Sequence, residues 1–124
     1  MNKNYLVKSS VISKTCVDGI HQWKDAPHKY EYLRYPHRHL FYIEARTEVN
    51  HTDRDIEFID FARNIKAYLL ANYWSETDKC CLFGNMSCEM IARELVDEFF
   101  LDECTVYEDN ENGGTARRFE VFSS

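Results

Sequence analysis

No apolar run in this 124-residue chain approaches the roughly 18 residues that a membrane-crossing helix needs, so a membrane protein is not expected. The start, MNKNYLVKSS, lacks the long apolar core and small-residue cleavage site of a secretory leader. There is no C-x-x-C pair, and the five cysteines (Cys16, Cys80, Cys81, Cys88 and Cys104) are odd in number. Together these absences predict reduced thiols in a cytoplasm and no disulfide framework. Cationic side chains are scarce: 15 Lys and Arg against 21 Asp and Glu leave a net charge of -6. That balance argues against non-specific nucleic-acid binding, which draws on Lys and Arg at phosphates, and leaves room only for a local basic pocket. Internal repeats and low-complexity tails are also missing, and both prolines, Pro27 and Pro36, fall in one segment.

What is present is a hydrophobic content of 44% with 15% aromatic residues, which at this length predicts one globular domain spanning 1-124. Residues from about Tyr5 to Val17 read as a first strand, and Asp18 to Pro36, with both prolines, as a long irregular connection. From Leu40 to Val49 the alternation is clear. Phe41, Ile43, Ala45, Thr47 and Val49 share one face, opposite Tyr42, Glu44, Arg46 and Glu48. Asp55 reads as the cap of a helix carrying Phe58, Phe61, Ala62, Ile65 and Leu69 at helical spacing as far as Tyr73. A loop from Trp74 to Met86 follows, and Ser87 then caps a second helix with Ile91, Ala92, Leu95 and Phe99 on its apolar stripe. Thr105 to Glu108 and Ala116 to Phe122 read as two last strands around an Asn- and Gly-rich turn. The expected layout is α+β: a four-stranded antiparallel sheet in the order ββααββ, with two helices on one face. Its two open edges invite pairing between copies of the chain.

The stretch Tyr35-Pro-His-Arg-His39 places two imidazoles one residue apart as a strand begins. Alternate residues of a strand share a face, so His37 and His39 fall with Phe41 and Ile43 on the side to be covered. Histidines on an inward face are satisfied either by hydrogen bonds or by a metal ion. The residues alone leave both readings open. Taken in the same way, Glu108 is a solvated residue near a turn.

The order of elements and four short motifs resemble the 6-pyruvoyl-tetrahydropterin synthase and 6-carboxy-tetrahydropterin synthase family, the tunnelling fold or T-fold. Gly19-Ile-His-Gln-Trp23 and His37-Arg-His39 are similar to the family's first zinc histidine and its later His-Gly-His. Asp55-Ile-Glu-Phe58 resembles its Ile-Asp-Phe helix start, and Ser87-Cys-Glu-Met-Ile-Ala92 its Thr-x-Glu-Asn second-helix start. Val106-Tyr-Glu108 is similar to a late strand whose glutamate anchors the pterin ring. The resemblance implies a homo-oligomer with zinc on His21, His37 and His39, and with Glu108 accepting hydrogen bonds from the edge of a heterocycle.

The chain departs from the family at two points. Tyr32-Leu-Arg-Tyr35 stands where the family carries its catalytic Cys, and the Ser75 to Asn85 segment holds Asp78 without the histidine of the family's Asp-His pair. The expectation is therefore a binding protein for a pterin-, purine- or nucleotide-like ligand at a subunit interface. Arg34 or Arg38 would meet an anionic group and Trp23, Tyr32 or Tyr35 would stack on the ring. Such a protein would sequester a nucleotide signal, as some small phage or bacterial proteins do. The alternative is a zinc-dependent synthase or lyase of the pterin or deazapurine pathway, with His51 or Asp78 moving protons, or with Cys80 or Cys81 as a relocated thiol. A structural homo-oligomer with a decayed site is a third reading.

Overall fold

Burial alternates along residues 37-49 as the sequence pattern requires: Phe41, Ile43 and Ala45 are buried while Arg38, Leu40, Arg46 and Glu48 are exposed. In the computed structural model, which describes residues 4-121, this stretch is strand β2 (His37–Val49). It pairs antiparallel with β1 (Ser9–His21) in a thirteen-residue register running from Ser9 opposite Val49 to His21 opposite His37. The first strand is thus displaced towards the C-terminus from the expected Tyr5 to Val17. Tyr5, Leu6 and Val7 stay exposed, whereas Gly19 and His21 join the sheet because β2 continues to pair with them.

Helix α1 (Phe58–Tyr73) follows β2, and its cap is Glu57, whose carboxylate accepts from the backbone N–H groups of Ile59 and Asp60. Asp55, the expected cap, instead accepts from the N–H of Asn50 and closes the preceding turn. The segment expected as a loop forms two more strands, β3 (Trp74–Ser75) and β4 (Cys80–Gly84). β4 lies parallel to β1, so the sheet is mixed and has six strands among the described residues, two more than the four expected. Ser87 caps α2 (Cys88–Phe99) as the sequence predicts, its Oγ accepting from the N–H of Met90. Strands β5 (Glu103–Glu108) and β6 (Gly113–Arg117) complete the order β3-β4-β1-β2-β5-β6. The last strand stops short of the expected end, and Phe122 lies outside the described residues.

The architecture is α+β, with α1 and α2 packed against one face of the sheet and a 3₁₀ stretch, His28–Arg34, within the connection between β1 and β2. A single core joins Val17, Phe41, Ile43 and Val106 of the sheet to Ile65, Leu69, Ile91 and Leu95 of the helices. Ser13 Oγ donates to the Phe58 carbonyl at 2.8 Å and ties the start of α1 to β1. Gly19 has a steric reason to be glycine: a Cβ there would fall 2.6 Å from the Phe83 ring and 2.9 Å from the Phe41 ring. Those two rings close over β1 immediately before His21 and so define the floor on which the histidines stand. No helix among the described residues is long and apolar enough to cross a membrane.

Candidate metal centre and cleft

The register that builds the sheet also gathers the histidines. His21 is directly opposite His37, and Gly19 is opposite His39, so the three imidazoles occupy adjacent inward positions on paired strands. Their ring centroids lie 4.5 Å (His21–His37), 5.1 Å (His37–His39) and 5.5 Å (His21–His39) apart. On the other side of β2, Phe41 is opposite Glu108, which places that carboxylate diagonally across from His39. One donor atom from each of His21, His37, His39 and Glu108 falls within 4.8 Å of all the others. The structure therefore brings together the three histidines and the glutamate singled out in the sequence.

Each imidazole is held by its Nδ1. His21 Nδ1 lies 2.8 Å from the carbonyl oxygen of Met86, His37 Nδ1 2.9 Å from that of Tyr35, and His39 Nδ1 2.7 Å from the Asp109 carboxylate. Carbonyl and carboxylate oxygens accept only, so all three Nδ1 atoms carry the proton and donate. In a neutral ring so held, Nε2 is left as a lone pair. A hydrogen-bonded Nδ1 with a free Nε2 is the outer arrangement that fixes metal-binding histidines in tautomer and orientation. The buried His21 Nε2 has no hydrogen-bond partner, although it approaches Glu108 Oε1 to 2.9 Å. That contact is a close approach without hydrogen-bond direction, which leaves a buried polar atom to be satisfied. Burial lowers the pKa of His21, opposed by its bond to Met86 and by the charge of Glu108, so the ring favours its neutral form.

Asp109 could not be singled out from the sequence, where it is one of several turn residues. It and Asn110 both adopt left-handed backbone, with φ of 52° and 58°, and this tight reversal brings the carboxylate back to the end of β2. Oδ1 accepts from the N–H of Leu40 at 3.0 Å while Oδ2 holds His39, and the bond to His39 keeps the Asp109 pKa below the usual carboxylate value. Asp109→Asn preserves an acceptor for Leu40 but loses the anionic partner of His39. The expected result is a metal affinity lower by roughly 10- to 100-fold with little change in unfolding midpoint, measured by competition with a chelating dye and by thermal melts of the metal-free protein.

Beside the cluster opens a cleft of about 610 Å³, walled by His21, His37 and Glu108, by Trp23 and Leu33 of the connection, and by the start of α2. Among the described residues neither Lys nor Arg lines it. Arg38 points to the opposite face of the sheet, where its Nε donates to Asp18 at 2.9 Å. Arg34 folds back on the connection and donates from Nε to the carbonyl of Ala26 at 2.7 Å. The structure leaves both arginines apart from the histidines. Trp23 does reach the cleft, stacked on Tyr30 at a centroid distance of 6.2 Å, whereas Tyr32 and Tyr35 stay exposed elsewhere.

The alternative proton carriers and thiols lie away from the cleft. His51 is exposed in its turn beside Asp55, and Asp78 accepts from Ser75 Oγ in the turn between β3 and β4. Cys80 and Cys81 are wholly buried, and burial pushes the Cys81 thiol up to about 11. The thiol that does line the cleft is Cys88, whose Sγ lies 3.9 Å from Glu108 Oε1 and whose pKa is pushed up to about 12 by burial and then by that carboxylate. Its position in the first turn of α2 is the only signal the sequence offers for it. No family model matches the chain, and none of the curated proteins is significantly similar to it.

Proposed function

We propose that this chain is a divergent tunnelling-fold protein that binds one divalent metal ion, zinc in the first instance, and holds a small heterocycle in the adjoining cleft. The observation that carries this reading is the convergence of donor atoms from His21, His37, His39 and Glu108 within 4.8 Å of one another, beside a 610 Å³ cavity that three of them line. Neutral imidazoles match zinc, and pockets of this size suit a pterin, a purine or a nucleotide base. Trp23 and Met90 offer apolar walls for a flat ring, and Gln22, Asn85 and Asn112 carry amides suited to its edge. The two unpaired borders of the sheet, β3 and β6, support assembly into a homo-oligomer with the cleft at a subunit boundary. In such an assembly Arg34 or Arg38 of another copy meets the anionic part of a nucleotide. Sequestration of that ligand, without turnover, is the role this arrangement serves.

Protein purified without added metal is expected to contain about one zinc ion per chain, and a pterin or guanine compound is expected to raise its melting temperature. Elemental analysis and a heat-shift panel of pterins, guanine nucleotides and cyclic nucleotides check this. A native protein that contains and takes up no metal ends the proposal. One observation favours a second reading, a zinc-dependent synthase or lyase of the 6-carboxy-tetrahydropterin type: a thiol, Cys88, lies in the cleft. Burial and the neighbouring Glu108 raise its pKa in the metal-free protein, which makes it a weak nucleophile there. Turnover of 7,8-dihydroneopterin triphosphate decides for this second reading.

A further inference from the structure

The same carboxylate touches two of the three imidazoles. Glu108 Oε1 lies 2.9 Å from His21 Nε2, and Oε2 lies 3.4 Å from His39 Nε2. With both Nδ1 protons committed to Met86 and Asp109, the neutral rings would meet Glu108 acceptor to acceptor, and the buried His21 Nε2 has no hydrogen bond. Lone pairs that face one another repel unless a proton or a metal ion lies between them, and one donor atom from each of His21, His37, His39 and Glu108 lies within 4.8 Å of the others. His21 makes the point most sharply, because its residue is only 7% exposed and its Nε2 has no partner.

We propose that Glu108 is itself a metal ligand, so that the centre consists of four protein donors, His21, His37, His39 and Glu108. This inference rests on the metal-binding reading above and revises the role expected for the glutamate. A carboxylate that anchors a ring must present both oxygens in parallel to two donors of the ligand. Here the two oxygens are each turned to a different imidazole nitrogen, and Oε1 also lies within reach of the Cys88 thiol. The position of Glu108 follows from the fold: it ends β5 opposite Phe41, on the inward face, immediately before the backbone reverses at Asp109. Four protein donors saturate a tetrahedral ion. An ion that takes five or six ligands keeps places for an oxygen or nitrogen of whatever occupies the cleft. The anionic donor also makes the site harder and less positive than three imidazoles alone, favouring divalent ions that accept oxygen as well as nitrogen.

Titration of metal-free protein with Co²⁺, followed by its visible absorption, distinguishes the two roles. Glu108→Gln is expected to weaken Co²⁺ binding by at least about tenfold and to change the position and intensity of the visible bands. Glu108→Asp, which retains the charge but withdraws it by one methylene, is expected to give an intermediate affinity. It also serves as the readout if Glu108→Gln fails to fold. Spectra and affinities for both variants that superpose on those of the wild type overturn the inference while leaving a three-histidine centre intact. A wild type that binds no Co²⁺ overturns the metal-binding reading itself, and this proposal with it.

Discussion

His21→Ala is expected to abolish stoichiometric metal binding and, with it, any stabilisation of the fold by added zinc. His21 is the buried member of the cluster, 7% exposed, and the ring at which the other two imidazoles meet. Loss of an outer partner to a ligand costs roughly 10- to 100-fold in affinity, and loss of a ligand costs more. The thermal readout follows by linkage. At a free metal concentration 100 times the dissociation constant, wild-type protein gains about 2.7 kcal/mol, whereas a variant that does not bind gains nothing. The metal-free variant also leaves the Met86 carbonyl without its donor, at a cost of about 1–3 kcal/mol if no water replaces it. Melts with and without zinc separate the two effects, because the second is present in both. A variant that retains the full zinc-induced shift shows that the ion, if bound, is held elsewhere.

His37 and His39 were legible in the sequence for a simple reason. They share parity with Phe41 and Ile43, and strand periodicity carries the inward face from the core to the end of β2. His21 was not legible in that way. Its strand reads poorly, since adjacent Leu6 and Val7 mimic a β segment that stays exposed, while Gly19 is a weak strand former placed by its pairing with β2. Only the resemblance to a known family pointed to it. β4 was missed because Cys80 to Phe83 are all apolar, so the exposed position, Leu82, does not stand out from its buried neighbours. Asp109 was missed because consecutive left-handed residues redirect it, and no periodicity describes a reversal. Arg38 shows what strand parity also says: one residue away from a histidine is the other face of the sheet, and there, within one chain, Arg38 finds Asp18.

The largest loss of stability is expected from Phe41→Ala, about 3–5 kcal/mol by truncation of a buried aromatic residue. Phe41 is fully buried at the centre of the inward face, with its ring edge-on to Phe83 at 5.0 Å. Against a total of roughly 5–15 kcal/mol for a domain, that loss moves the urea midpoint substantially while leaving the slope nearly unchanged. The same ring meets His21 at 5.0 Å and His39 at 5.9 Å, so it supports two imidazoles from below while filling the core. Removal of the ring opens a space into which those imidazoles rotate, and metal affinity is expected to fall although every ligand is retained. Phe41→Leu, which keeps most of the volume, should lose less stability and less affinity, in the same order. If Phe41→Ala destabilises the fold by several kcal/mol yet binds metal as tightly as the wild type, the centre is held by its Nδ1 bonds alone. If both fall together, folding and binding share one face of one strand, where residues 37 and 39 hold the ion only as firmly as residue 41 holds the sheet to its helices.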